Sequence, residues 1–186
     1  MKISAVKKPK DRIVEVSAKL FYEHDSHTVG VDKICEVANV SKRTLYKHFP
    51  SKEVLVSASI TQMADTWSER GFINTDLQDP IERIMHLFKT LERQATSKDF
   101  CGCPMVNTSI ERRDSPDLAM DAARTYKDQL YVYFKQQAML LKAEDPDVLA
   151  EQLLLLYDGC NAWIVMRRQF PKSVFASLDL LLSSKR

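Results

Sequence analysis

Apolar residues recur along this chain in steps of three and four, the spacing of helix faces. Ile81, Ile84, Phe88, Leu91 and Ala95 follow that rhythm, as do Ala119, Ala123, Tyr126, Leu130 and Tyr133. No stretch shows sustained strand-type alternation between turn signals. Prolines mark the helix starts: Asp79-Pro80, Ser115-Pro116 and Asp145-Pro146 each place an N-cap residue before a proline at the first helical position, where its missing N–H costs nothing. The pattern predicts an all-α protein of about nine helices.

The helix expected after Pro146 is apolar nearly all round. Leu149, Leu153, Leu156, Cys160, Trp163 and Ile164 form one stripe, while Leu154, Leu155, Val165 and Met166 occupy other faces. Such a helix must be buried on more than one side. A short chain has little to wrap around a helix so near its C-terminus, which favours a helix shared with a second copy over a monomer's central helix. A further amphipathic helix, around Val174, Leu178, Leu181 and Leu182, completes that face. The expected dimer contacts are Leu154, Leu155, Met166, Leu178 and Leu182.

The segment from Thr28 to Leu55 carries the densest information. Val31, Ile34, Cys35, Val37 and Ala38 give a short helix with an apolar underside, and Asn39-Val40 supply a tight turn. Ser41 is a natural N-cap for a second short helix anchored by Leu45 and Phe49. Its outward face carries Lys42, Arg43, Thr44, Tyr46, Lys47 and His48. Two short helices, a tight turn and a basic second helix describe a helix-turn-helix over about residues 30–49. The chemistry suits DNA: Arg43 for a guanine edge, Thr44 for a thymine methyl or base edge, and Tyr46, Lys47 and His48 for phosphates. Lys52, at the start of the next helix, and Thr28, before the first, complete the expected contact set with Ser41 and Lys42.

Charge agrees with this placement. The net charge of +2 divides into +4 over residues 1–60 and −2 over the remainder. A basic end on a slightly acidic body suits a polyanionic partner. The four glycines stand singly, which excludes dinucleotide and P-loop folds. The N-terminus has no apolar stretch of signal-peptide type, and Val148–Met166 contains Glu151, Gln152, Asp158 and Asn161, poor material for a membrane span. A cytoplasmic protein with reduced cysteines is expected.

The segment resembles the DNA-binding domain of the TetR (tetracycline repressor) family of bacterial transcriptional regulators. The resemblance rests on Leu20-Phe21, Thr28, Ile34, Ala38, Val40-Ser41 and the string T-L-Y-x-H-F-x-x-K-x-x-L from Thr44 to Leu55. Asp25 and Asn39 stand where the family often has glycine, and both tolerate left-handed geometry. The resemblance implies a helix-turn-helix domain over residues 1–56 and a larger ligand-binding and dimerisation domain over 57–186. It implies a homodimer on double-stranded DNA, repressing until a small effector changes the separation of its heads. No enzymatic activity and no cofactor are implied.

An apolar or aromatic effector is expected, in a pocket drawing on Trp67, Phe88, Cys101, Cys103, Met105, Asn107, Tyr126 and Trp163; Phe72, Phe100 and Tyr133 are further candidates, although the same residues suit an ordinary core. Cys101-Gly102-Cys103-Pro104 opens an alternative, a thiol sensor of oxidants or electrophiles. A cysteine at a helix N-terminus is expected to have a lowered pKa. A small helical thiol enzyme on the same cysteines is a weaker reading. Neither these cysteines nor His24-x-x-His27 have enough ligands close in sequence for a metal site.

Overall fold

The computed structural model describes residues 7–69, 76–114 and 117–183. Among them are nine helices and no strand, as the apolar spacing predicts. The first three are α1 (Pro9–Glu23), α2 (Val31–Ala38) and α3 (Lys42–His48). They pack through Ile13, Phe21, Ile34, Ala38, Leu45 and Phe49, all buried, into a small head. Val37 departs from expectation: it is 49% exposed, because Ile34, Cys35 and Ala38 already fill the one face an eight-residue helix can bury.

A long helix, α4 (Lys52–Ser68), leaves the head and enters the body without a break. It packs on both α1 and α7: Trp67, near its C-terminal end, meets Tyr22 of α1, and Ser57, near its start, donates to the Leu118 carbonyl of α7. The expected boundary between residues 56 and 57 therefore falls inside a continuous helix. The body continues with α5 (Pro80–Gln94), α6 (Pro104–Glu111), α7 (Leu118–Leu140), α8 (Pro146–Arg167) and α9 (Val174–Ser183). Asp79 caps α5 by accepting from the Glu82 N–H, and Asp145 caps α8 by accepting from Asp147 and Val148. Helix α7 is capped by Asp117, which accepts from Ala119 and Met120; the expected Ser115-Pro116 start lies outside the described residues.

The body's core is built around three aromatic rings. Phe88 meets Tyr157 edge-on at 5.5 Å, and Phe134 lies 6.5 Å from each. Ile84, Leu91, Leu130, Leu149 and Leu153 close around them. Leu178 of α9 is 0% exposed and belongs to this core, because α9 folds back onto its own α8. It has no surface to offer a second chain, contrary to the interface expected from the sequence. Leu155 and Met166, by contrast, are 72% and 71% exposed, with Trp163, Val165 and Leu180 also outward, while Leu154 and Leu182 are half-buried.

Candidate nucleic-acid interface and the seam behind it

Ser41 begins α3. Its Oγ accepts from the Thr44 N–H at 3.1 Å and lies 2.9 Å from Thr44 Oγ1. Asn39 makes the preceding turn in the left-handed region, at φ 50°. Leu45 and Phe49 pin the helix to the head, Lys42, Arg43, Tyr46 and Lys47 face outward, and Thr44 and His48 are half-buried. Arg43, Tyr46 and Lys47 are exposed, with no side-chain hydrogen bond or ion pair among the described residues. They are ready to meet a ligand without first breaking a contact.

The other expected contacts have local duties. Lys42 Nζ lies 2.7 Å from Asp32 Oδ1 of α2, and that carboxylate raises the lysine's pKa. The pair is solvent-exposed and therefore weak, so phosphate can displace it. Thr28 donates its N–H and hydroxyl to Asp25 at 2.7 and 2.5 Å. Asp25 thus serves as a side-chain turn former; it is not in the left-handed region that a glycine substitute would need. Lys52 sits in the first turn of α4, after its N-cap Ser51, with Nζ 3.4 Å from the His27 carbonyl. His48, half-buried, ends α3.

Head and body are joined by two polar clasps that the sequence did not reveal. In the first, Tyr22 Oη donates to the Gly102 carbonyl at 3.2 Å and accepts from the Cys101 N–H at 3.0 Å. Burial pushes the Tyr22 phenol up to about 12, so it keeps its proton. Gly102 is at φ +87°, and a Cβ there would meet Val165 Cγ2 at 2.9 Å, so the loop needs glycine on both counts. In the second, the buried Arg112 guanidinium binds Asp117 and donates to Ser26 Oγ at 2.8 Å. Ser26 donates in turn to Glu111 Oε1 at 2.5 Å, and His27 Nε2 stands 3.6 Å from the same oxygen.

The expected effector pocket is not assembled. Phe88, Met105 and Tyr126 are close-packed core, and Cys103 is 2% exposed. Trp163 lies on the outer face of α8, beneath the Arg167 guanidinium. Trp67 packs edge-on against Tyr22, Phe100 and Tyr133 are buried, and Phe72 lies outside the described residues. Of the eight expected positions, Cys101 and Asn107 line an open cleft between α1, α4 and α6. Burial pushes both the Cys101 and Cys103 thiols up, opposite to the lowered values expected at a helix N-terminus. Desolvation outweighs the helix dipole here. No group of three or more His, Cys, Asp or Glu among the described residues could hold a metal ion, and no helix among them is long and apolar enough to cross a membrane.

A capped, left-handed turn between two short helices, the second presenting unpartnered basic side chains, defines a helix-turn-helix head on an all-helical body. Residues 13–58 match the family of bacterial regulatory proteins, tetR family. The sav143 chain of Streptomyces avermitilis, described as a TetR-type transcriptional regulator, is 32% identical and superposes with a TM-score of 0.88 over 96% of this chain and 98% of its own. The chain belongs to the TetR family. Among curated relatives, the HTH-type transcriptional regulator UidR of Escherichia coli K12 is 38% identical over 73 residues, 39% of this chain. RutR of the same organism is 36% identical over 63 residues, 34% of this chain. These matches span 34% and 30% of the relatives' own lengths, so they speak for the head.

Proposed function

We propose that this protein is a dimeric, effector-responsive transcriptional repressor that binds a palindromic operator through α3 and works in the cytoplasm. The observation that carries the reading is the outward face of α3, where Arg43, Tyr46 and Lys47 stand exposed on a helix fixed by its Ser41 cap and its Leu45 and Phe49 anchors. Arg43 reads a guanine edge, Thr44 a base edge or methyl, and Tyr46, Lys47, His48, Lys42 and Lys52 position the phosphates, with Thr28 and Ser41 at the margin. The head, residues 1–56, is the reading unit, and residues 57–186 carry dimerisation and effector binding.

Dimerisation follows from the exposed apolar side chains of α8 and α9. Leu155, Trp163, Met166 and Leu180 are too many large apolar groups to leave in water on adjoining helices, and Leu154 and Leu182 border them. A two-fold dimer spaces its recognition helices for adjacent major grooves, about 34 Å apart. An effector that binds a different spacing better releases DNA by linkage.

The test is fluorescence anisotropy on DNA from upstream of the protein's own coding region, across a salt series. Expected is saturable nanomolar binding that exceeds competitor DNA and weakens steeply with salt. Arg43→Ala should lose discrimination between operator and competitor, at about 1–3 kcal/mol. Lys47→Ala should weaken both and reduce the salt slope by about one. Sequence-indifferent binding, to this DNA and to fragments selected from random sequence, refutes the repressor reading.

A further inference from the structure

The three interlocked rings of Phe88, Phe134 and Tyr157 fill the middle of the body, leaving the expected interior site closed. Clefts open instead at the surface, and one of them lies at the seam between head and body. A cleft of about 360 Å³ lies between the end of α1, the middle of α4 and the length of α6. That volume falls within the range of small-molecule sites, roughly 300–1,000 Å³. Its floor is apolar, made by Phe21, Ile60, Met63 and Pro104.

Its walls are acidic. Glu23 and Asp25 come from the end of α1 and the turn after it, and Glu111 from the last turn of α6. The lining includes no lysine or arginine, and His24 is its one basic side chain. Thr28 holds the Asp25 carboxyl below its ordinary range, chiefly through its hydroxyl, so this wall stays anionic at neutral pH. Opposing charges nearby are Lys19, 3.7 Å from Glu23, and the buried Arg112 guanidinium, one hydrogen bond beyond Glu111 through Ser26; the His27 imidazole stands 3.6 Å from Glu111. Lys19 is exposed and Arg112 is already paired with Asp117, so the three carboxylates are offset only in part.

We propose that this seam cleft is the effector site and that it takes an organic cation, a protonated or quaternary amine on a compact apolar body. The inference rests on the effector-responsive reading above and deepens it, extending the site from residues 57–186 onto Phe21–Asp25 of the head. The floor removes the apolar body from water, and the carboxylate walls favour a positive head and repel a negative one. The location supplies the response. A ligand between Phe21–Asp25 and Pro104–Glu111 touches head and body together, beside the Tyr22–Gly102 and Ser26–Glu111 bonds that set their relative position. It changes DNA affinity to the extent that it binds one head position better than the other.

The experiment is calorimetric titration of the full chain with phenylbutylamine, phenylbutanol and phenylbutyrate, one skeleton carrying a positive, neutral or negative head. The amine should bind at least about tenfold more tightly than the acid, with the alcohol between, and the preference should shrink with added salt. Ile110→Trp, at an exposed residue on the cleft's wall, should abolish binding, and Glu111→Gln should bring the amine close to the alcohol. Operator affinity measured in parallel should fall as the amine is added. The proposal is overturned by equal or tighter binding of the acid, by no binding of the amine, or by amine binding that both variants retain. It is equally overturned if the amine binds and operator affinity does not move. Failure of the free protein to bind any operator refutes the repressor reading instead, and the calorimetric series still judges the cleft.

Discussion

The Arg112 clasp makes a stability prediction that can be worked from its contacts. Arg112→Met keeps most of the side-chain volume and removes the guanidinium. Breaking a buried ion pair by deleting one partner costs about 3–5 kcal/mol when the other is left without compensation. Here the loss is smaller. The Asp117 side chain is 25% exposed and keeps the Ala119 and Met120 N–H groups that it caps. Ser26 keeps Glu111 as its acceptor. The variant also removes Arg112 Nε, a buried donor with no partner, whose desolvation costs the native protein about 1 kcal/mol. The expected net loss is about 2 kcal/mol, read by urea unfolding followed by far-UV circular dichroism. In a chain of this size it corresponds to a drop in Tm of about 4–8 °C. A change below about 0.5 kcal/mol, with the urea slope unaltered, would show that the clasp contributes little to stability and refute the reasoning.

Three further outcomes are expected. Ser41→Ala removes the cap of α3 and should cost about 1 kcal/mol of stability while weakening specific DNA binding, which Ser41→Asp should restore in stability alone. Met166→Glu together with Leu155→Glu should give a folded monomer by light scattering, whereas Leu178→Ala should lower stability by about 2–5 kcal/mol through a core cavity; an unaltered dimer in the double variant would displace the interface from α8. The folded pKa of Asp25 lies below its unfolded value, so its stabilisation is present above about pH 3.9 and is lost as pH falls through the folded value. Thr28→Val removes the hydroxyl that causes most of this shift and should flatten the acid limb of the stability profile; identical acid limbs for the two proteins refute it.

The head was legible in the sequence because its determinants are local. A serine cap, an asparagine turn and two apolar anchors lie within a dozen residues, and each has one efficient use. The body's helices were legible for the same reason, through the Asp-Pro starts at residues 79–80 and 145–146. Which apolar face is buried was less so. Leu178 and Met166 are equally apolar letters, and only the fold of α9 against α8 decides that one is core and the other surface. The cysteines show the limit of reading a local signal alone: Cys103 does stand at the N-cap position of a helix, but inside the protein, where burial controls its thiol.

The same distinction bears on the two halves of the proposed activity. Residues 39 to 49 contain most of what builds the proposed DNA-facing surface, so nearest-neighbour chemistry identifies it even though Lys42 also meets Asp32 and Thr44 also braces Ser41. The seam cleft draws on residues near 21–25, 60–63 and 101–111, which no sequence window joins. Its acidity is invisible in one dimension, because Glu23 and Asp25 sit in a head whose overall charge is positive. Folding brings them into one cleft with Glu111, although Asp25 also holds Thr28, at the margin of the proposed DNA contacts. A cation that favours one spacing of Glu23 and Asp25 from Glu111 therefore biases the position of the head that carries α3.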